Sequence, residues 1–295
     1  MSTLRNWLSL IILAFIWGSS FILIKRGLFA PDGSQLYSST QVGALRIVIA
    51  ALVMLPFSLA RLKHLQGKKV LYLLMVGLFG NAIPAFLFAK AQTEISSALA
   101  GMLNSLVPLF SLIIAFFIFK VQVRSWQVIG LFLGLISAIG IIYFATGSVG
   151  SGSDPFYAGL VVIATLCYAI SLNTIKQFLQ NEPAVGITGL ALLLVSPIGV
   201  LLLIQTDFIG TLTTLEGAYY GLGAISILAI IGTALALIIF NKLVQDTNTI
   251  FASSVTYLIP LVAIIWGFAD GETMNFIQII FAGTMLAGIF LINRK

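Results

Sequence analysis

Apolar and polar positions in this chain do not alternate; they fall into long blocks. Ten apolar runs, at approximately 7–29, 41–60, 70–90, 97–119, 126–146, 156–179, 185–205, 217–243, 249–269 and 275–293, are set apart by charges and by Gly and Pro clusters. Each is about twice the length of a membrane-barrel strand and lacks its alternation. In lipid a segment must satisfy its own backbone N–H and C=O groups, which leaves the α-helix. About 20 apolar residues cross a bilayer, so the pattern predicts an all-α integral membrane protein of ten transmembrane helices. Pro56, Pro84, Pro108, Pro197 and Pro260 lie inside the runs, where they are tolerable and are expected to kink the axis.

Composition supports lipid as the solvent. Hydrophobic residues make up 60% of the 295 and charged residues 8%, against about 25% charged in a soluble domain. Such a chain cannot cover a water-facing surface. The first run, Trp7 to Leu28, is too long for a signal-peptide core and no small-residue cleavage site follows it, so it is read as the first membrane helix. The basic residues sit at the ends of runs, with no basic stripe, and no nucleic-acid partner is expected. Cys167 is the one cysteine and cannot form an internal disulfide.

The stretch Gly147–Pro155 is Gly- and Ser-rich, a flexible linker by composition, and falls at mid-chain. The halves on either side, 1–148 and 155–295, match. At an offset of 152, Phe88 meets Phe240, Lys90 Lys242, Ala100 Ala252, Leu106 Leu258, Pro108 Pro260, and Gly80 Gly232. At 151, Ser20 meets Ser171, Ile24 Ile175, Lys25 Lys176, and Trp17 Tyr168. The Lys, Ser and Pro matches at nearly one offset predict a duplication. Five helices are an odd number of crossings, so the second copy enters from the opposite side, the inverted repeat common in secondary transporters. With the N-terminus cytoplasmic, four of the 15 basic residues (Lys25, Arg26, Arg46 and Lys90) fall at outer ends, leaving eleven inside. That ratio predicts both termini in the cytoplasm.

These features together resemble the drug/metabolite transporter superfamily, in particular its EamA-type permeases. The resemblance is carried by Trp17-Gly18-Ser19-Ser20 with Lys25, by Arg46, by Gly80 and Ala89 to Gln92, by Ala98 to Leu109, and by Ala252 to Leu261. It covers essentially the whole chain. It implies two inverted five-helix repeats in a bacterial inner membrane. It also implies a central cavity lined mainly by helices one, three, four, six, eight and nine. The implied activity is transport of small metabolites, often amino acids and often outward.

No Asp or Glu lies in the middle of an apolar run, so the usual carboxylate proton relay is absent, which favours facilitated diffusion or exchange, with coupling through a helix-end carboxylate as the alternative. The uncharged polar residues at depth are Ser19, Ser20, Asn81, Asn104, Asn173, Asn241, Thr256 and Tyr257. Each either bonds a neighbouring helix, worth roughly 0.6 kcal/mol, or faces a cavity. Asn104 and Thr256 are repeat equivalents, each four residues before a paired proline. With Tyr257, Trp17 and Tyr168 they form the central-site expectation, the rings supplying an amphipathic wall; Ser20, Asn81 and Asn173 complete the candidates. Lys25 and Arg46 either snorkel to the interface or contact substrate or a gate; Glu94 is a candidate gate partner of Arg46. Gly101, Gly130, Gly134, Gly140, Gly283 and Gly288 are expected to let helices approach closely.

The function class that fits is a permease moving small metabolites such as amino acids by alternating access, with a nucleoside, vitamin or drug permease of the same fold as the alternative. An intramembrane enzyme lacks a His cluster, paired carboxylates at depth and the HExxH motif; a channel lacks a visible selectivity ring. The expected partners are a small-molecule substrate and the bilayer, with no cofactor, and the protein is expected as a monomer or homodimer.

Overall fold

A computed structural model describes residues 2–120, 122–145, 154–246 and 255–293. These residues form helices and, apart from one bridge pairing Phe29 with Gln35, no β-structure. In chain order the long helices are α1 (Ser2–Leu28), α2 (Ser39–Leu59), α3 (Lys68–Ala91), α4 (Ser97–Phe117), α5 (Ser125–Ala145), α6 (Pro155–Phe178), α7 (Ala184–Gln205), α8 (Ala218–Phe240), α9 (Val255–Ala269) and α10 (Phe276–Asn293). Eight of them, α1 to α8, are long and apolar enough to cross a membrane by length and composition, two fewer than expected. The other two apolar runs fall on α9 and α10, which are shorter. The run expected at 249–269 begins outside the described residues, as do 147–153 of the expected linker.

Local chemistry sets several helix starts. Ser38 and Gln41 form a reciprocal capping box at α2. The Ser96 hydroxyl accepts from Leu99 N–H at α4. Asp154 accepts from Phe156 N–H at α6, with Pro155 in the first turn, where its missing N–H is no loss.

The outward faces are apolar. Phe132, Ile139, Ile204, Ile265 and Phe290 are each at least 60% exposed. A water-facing surface does not carry such a continuous belt, so the solvent is lipid. The chain is a multi-pass membrane protein.

Inside, α1 packs on α8 and α9, and α6 packs on α3 and α4. α2 pairs with α7, α5 with α10, and α4 meets α9. Small residues permit these approaches. A Cβ at Gly130 would stand 2.5 Å from the Gly288 carbonyl oxygen, and one at Gly288 2.7 Å from that of Gly130. Gly101 lies against Ala263, Gly134 against Leu109 and Gly140 against Phe281. Gly283 departs from expectation: it is exposed, and among the described residues nothing lies within 4 Å of where its Cβ would be.

Two helices carry a wider turn at matching places. Leu78–Ala82 in α3 and Ile230–Leu235 in α8 wind as π turns, their first residues 152 apart (78 and 230). In each, the polar side chain takes the carbonyl five residues back: Asn81 Nδ2 donates to Val76 O at 3.4 Å, and Thr233 Oγ1 to Leu228 O at 3.3 Å. Such bulges are frequent at functional sites. Pro84 follows the first, while Ala236 stands at the matching place after the second, so proline is not what makes the turn. Asn104–Leu106, just before Pro108, tightens into a 3₁₀ turn.

Candidate functional site

The sequence Trp17-Gly18-Ser19-Ser20 ties α1 to two neighbours at once, because successive helical residues point about 100° apart. The Trp17 Nε1–H donates to the Gly232 carbonyl at 3.2 Å, inside the α8 π turn, and its ring meets Phe240 at 5.2 Å between centroids. Gly18 lies against Val262 and the Ile259 carbonyl of α9. Ser19 Oγ accepts from Trp266 Nε1 at 2.7 Å. Ser20, nearly buried, donates to Ile16 O and sits 3.2 Å from where a Gly232 Cβ would be.

The second half repeats this against the first. Tyr168 of α6 stacks on Phe88 of α3 at 6.0 Å, and Ser171 Oγ abuts Gly80 in the α3 π turn. The residue pairs matched by sequence offset, Trp17 with Tyr168, Ser20 with Ser171, Gly80 with Gly232 and Phe88 with Phe240, therefore meet crosswise in space.

The remaining polar candidates separate. Asn173 is consumed by packing: its Nδ2 donates to Ser111 Oγ at 3.0 Å, Ser111 O at 3.3 Å and Ala169 O at 2.9 Å. Asn104, half-buried at the 3₁₀ turn, has no side-chain hydrogen bond among the described residues. Thr256 is half-buried at the start of α9. The side chains of Tyr257 and Asn241 lie outside what is described.

Arg46 does not snorkel outward. Tyr37 Oη donates to Ala218 O at 2.9 Å, so α2 and α8 begin at the same end of the molecule. At 1.5 Å per residue, Arg46 lies roughly 10 Å along α2 and Thr233 roughly 22 Å along α8. Arg46 Nε nonetheless bonds Thr233 Oγ1 at 3.3 Å, so the side chain runs toward mid-depth. The expected pair with Glu94 is not formed: Glu94 is exposed in the turn after α3 and makes no ion pair among the described residues.

Lys25 does not snorkel free either. It belongs to a charge cluster that joins three elements at that same end, which the backbone bond of Leu36 N to Leu28 O connects to α2. Lys25 Nζ lies 2.6 Å from Asp270 and 2.8 Å from Glu272, and Arg26 pairs with Asp270. The side chains of both acids are only 6% exposed. Gly271 makes this possible. With φ 79° it closes α9 in a Schellman turn, Glu272 N–H bonding Gly267 O and Gly271 N–H bonding Phe268 O. The turn throws Glu272 onto the start of α4, where it accepts from Ser97 Oγ at 2.6 Å, Ser97 N–H at 2.9 Å and Ala98 N–H at 3.0 Å. These are orphan donors at a helix N-terminus, where an anion is favoured. Burial pushes the Glu272 carboxyl upward, but the bonds from Lys25, Ser97 and the two backbone N–H groups outweigh it and hold it below its ordinary value. A groove of about 260 Å³, lined by Lys25, Arg26, Pro31 and Asp270 among others, opens beside the cluster.

Sequence reading missed Arg26, Asp270, Glu272 and Ser97 as partners. The only signals were the Asp270-Gly271-Glu272 helix stop and the Lys25-Arg26 pair; that these two ends meet is a tertiary fact. At the opposite end Lys69 of α3 pairs with Glu182, before α7.

A lipid-belted helical bundle, with π turns and polar groups at mid-depth and a charge cluster closing one end, has the build of a membrane transporter. The chain belongs to the EamA-like transporter family, whose model matches it twice, over residues 5–143 and 155–294. It is 25% identical over 288 residues to an uncharacterized inner membrane transporter of Escherichia coli K12, YedA, covering 97% of this chain and 89% of that one. It is 22% identical over 298 residues to an uncharacterized transporter of Archaeoglobus fulgidus (99% and 100% covered). It is 24% identical over 301 residues to the uncharacterized transporter YyaM of Bacillus subtilis (98% and 93%). A solved crystal structure shares the fold at a TM-score of 0.64 and 16% identity, covering 97% of this chain and 96% of that one.

Proposed function

We propose that this protein is a secondary transporter that carries small amphipathic metabolites, amino acids among them, across a bacterial inner membrane by alternating access. Ten crossings would form two inverted repeats, residues 1–148 and 155–295, with both termini cytoplasmic. The observation that carries the reading is the crosswise contact of matched residues. Ser20 against Gly232 and Ser171 against Gly80 are like joints, each at a π turn, one from each half. Two like halves that trade conformations open a site alternately to each side. The double match of one family model supports the duplication.

In this reading Trp17, Tyr168, Ser20, Asn81, Asn104, Thr256 and Tyr257 face the solute path, and Asn173 holds α6 to α4. The cluster of Lys25, Arg26, Asp270 and Glu272 is the gate at the outer end. The matched end of α6 carries Lys176, with Glu182 after it paired to Lys69, and the loop after α4 carries Lys120 and Arg124. Among the described residues this end thus holds a network of two cations and two acids and the opposite end a single pair, Lys69 with Glu182, an imbalance that supports an inward-open resting state.

The test is counterflow in proteoliposomes against labelled amino acids, nucleosides and organic cations. Saturable exchange of an amino acid is the expected result. Exchange confined to nucleosides would move the substrate class, and flux that never saturates would point to a channel.

A further inference from the structure

The geometry points to Arg46 as the binding site for an oxyanion, carboxylate or phosphate, on the transported solute; this rests on the transporter reading above. A guanidinium carries five N–H donors. Among the described residues Arg46 uses one, its Nε to Thr233 Oγ1 at 3.3 Å, and no acid lies within ion-pair distance. The four remaining donors form the planar fork that matches a carboxylate or phosphate edge. An ionised group inside an apolar span is expensive and marks a substrate or ion pathway when no protein partner neutralises it.

Two simpler roles do not fit. Lipid headgroups are out of reach: the side chain points away from the end where α2 begins, and Thr233 still stands seven residues, roughly 10 Å, short of Phe240 on α8. Nor does the arginine serve to hold the π turn. The matching turn at Leu78–Ala82 forms around Asn81 with Ile198, exposed, at the position 152 residues after Arg46. Arg46 is therefore an addition to one half only, and it gives the two otherwise similar joints opposite preferences: one cationic, one neutral. A solute with an oxyanion at one end and an apolar body would be held in a single orientation, its charged group at Thr233 and its body toward the aromatic pair Trp17 and Phe240 next to the same π turn.

The test uses the full-length protein in proteoliposomes, with counterflow of labelled lactate, glutamate and inorganic phosphate, and of uncharged lactamide, uridine and the cation choline. At least one oxyanion should exchange, lactate should exceed lactamide at least tenfold if the carboxylate arm is the one used, and Arg46→Gln should lower exchange of the accepted anion at least tenfold. Arg46→Lys should retain part of it, since charge without the fork is kept. Exchange of phosphate alone, lost in Arg46→Gln, would assign a phosphate-bearing solute. Exchange of only uridine or choline would leave the transporter reading standing and overturn the oxyanion site, as would an Arg46→Gln protein that exchanges anions like the wild type. No exchange of any of the six would overturn both. Where Arg46→Gln fails to fold, Thr233→Val, which frees the Nε and loosens the fork, should raise the KM for the anion several-fold; an unchanged KM overturns the site.

Discussion

Ser171 presses its hydroxyl into the gap that the missing side chain of Gly80 leaves, so that α6 and the α3 π turn touch backbone to side chain. A Cβ at Gly80 would overlap the Ser171 Oγ, whereas at Gly232 the matching Ser20 Oγ would stand 3.2 Å away. Overpacking of this kind costs about 1–3 kcal/mol. Gly80→Ala should therefore lower the melting temperature in detergent clearly more than Gly232→Ala, and Ser171→Gly should restore most of the loss. Equal effects at the two glycines would refute the asymmetry.

The two aromatic equivalents differ in what their polar atoms do. Trp17 donates to Gly232 O, and the Tyr168 hydroxyl has no partner among the described residues. Trp17→Phe should destabilise by about 1 kcal/mol, a typical hydrogen bond plus a small packing loss. Tyr168→Phe should leave stability within about 0.5 kcal/mol of wild type. Unfolding in mixed micelles distinguishes them.

Asn173 and Asn104 form a second contrast. Removing the three bonds of Asn173 should lower stability by about 1–2 kcal/mol, at roughly 0.6 kcal/mol each. Asn104→Ala breaks no side-chain bond among the described residues, so folded yield should hold while solute exchange falls. Normal exchange by Asn104→Ala would remove it from the solute path.

The proposed role of the Lys25, Arg26, Asp270 and Glu272 cluster as a gate makes a labelling prediction. Ala100 on α4 is fully buried, one helical turn beyond the Ser97 and Ala98 groups that Glu272 holds. In a Cys167→Ser background, Ala100→Cys should react with a polar maleimide at least several-fold faster once Glu272→Gln and Asp270→Asn weaken the cluster. Unchanged reactivity would argue that the cluster is not a gate.

The Glu272 carboxyl lies below its ordinary value of 4.5 in the folded protein. A depressed carboxyl contributes stability that is present above the unfolded value and is lost as pH falls through the folded one. The stability gap between wild type and Glu272→Gln should thus be constant from neutral pH down to about 4.5 and narrow below it. A gap that closes on raising the pH above neutral would contradict the sign.

Much of this was legible in the chain itself. Block hydropathy dictated helices in lipid, because backbone groups there have no other partners. The offsets of 151 and 152 matched in advance the residues that the fold sets crosswise, as like residues at like joints. The break between the runs ending at 269 and beginning at 275 marked a helix end, which Gly271 makes in the left-handed turn that glycine enters freely. Gly283 shows the opposite: a small residue permits a close approach but cannot say whether a helix arrives.

What the tertiary structure alone decided was partnership. Sequence placed Arg46 and Glu94 near outer ends and made them candidates for each other, but side-chain direction and helix adjacency sent Arg46 to Thr233 and left Glu94 exposed. It likewise showed Lys25 and Glu272 as separate charges 247 positions apart, and folding brought them within 2.8 Å. Hydropathy and spacing are local properties of the chain, so they determine which segments enter the membrane and which positions correspond. Ion pairs and open donors depend on which helix ends share a level and a face, which is set by the packing of the whole bundle.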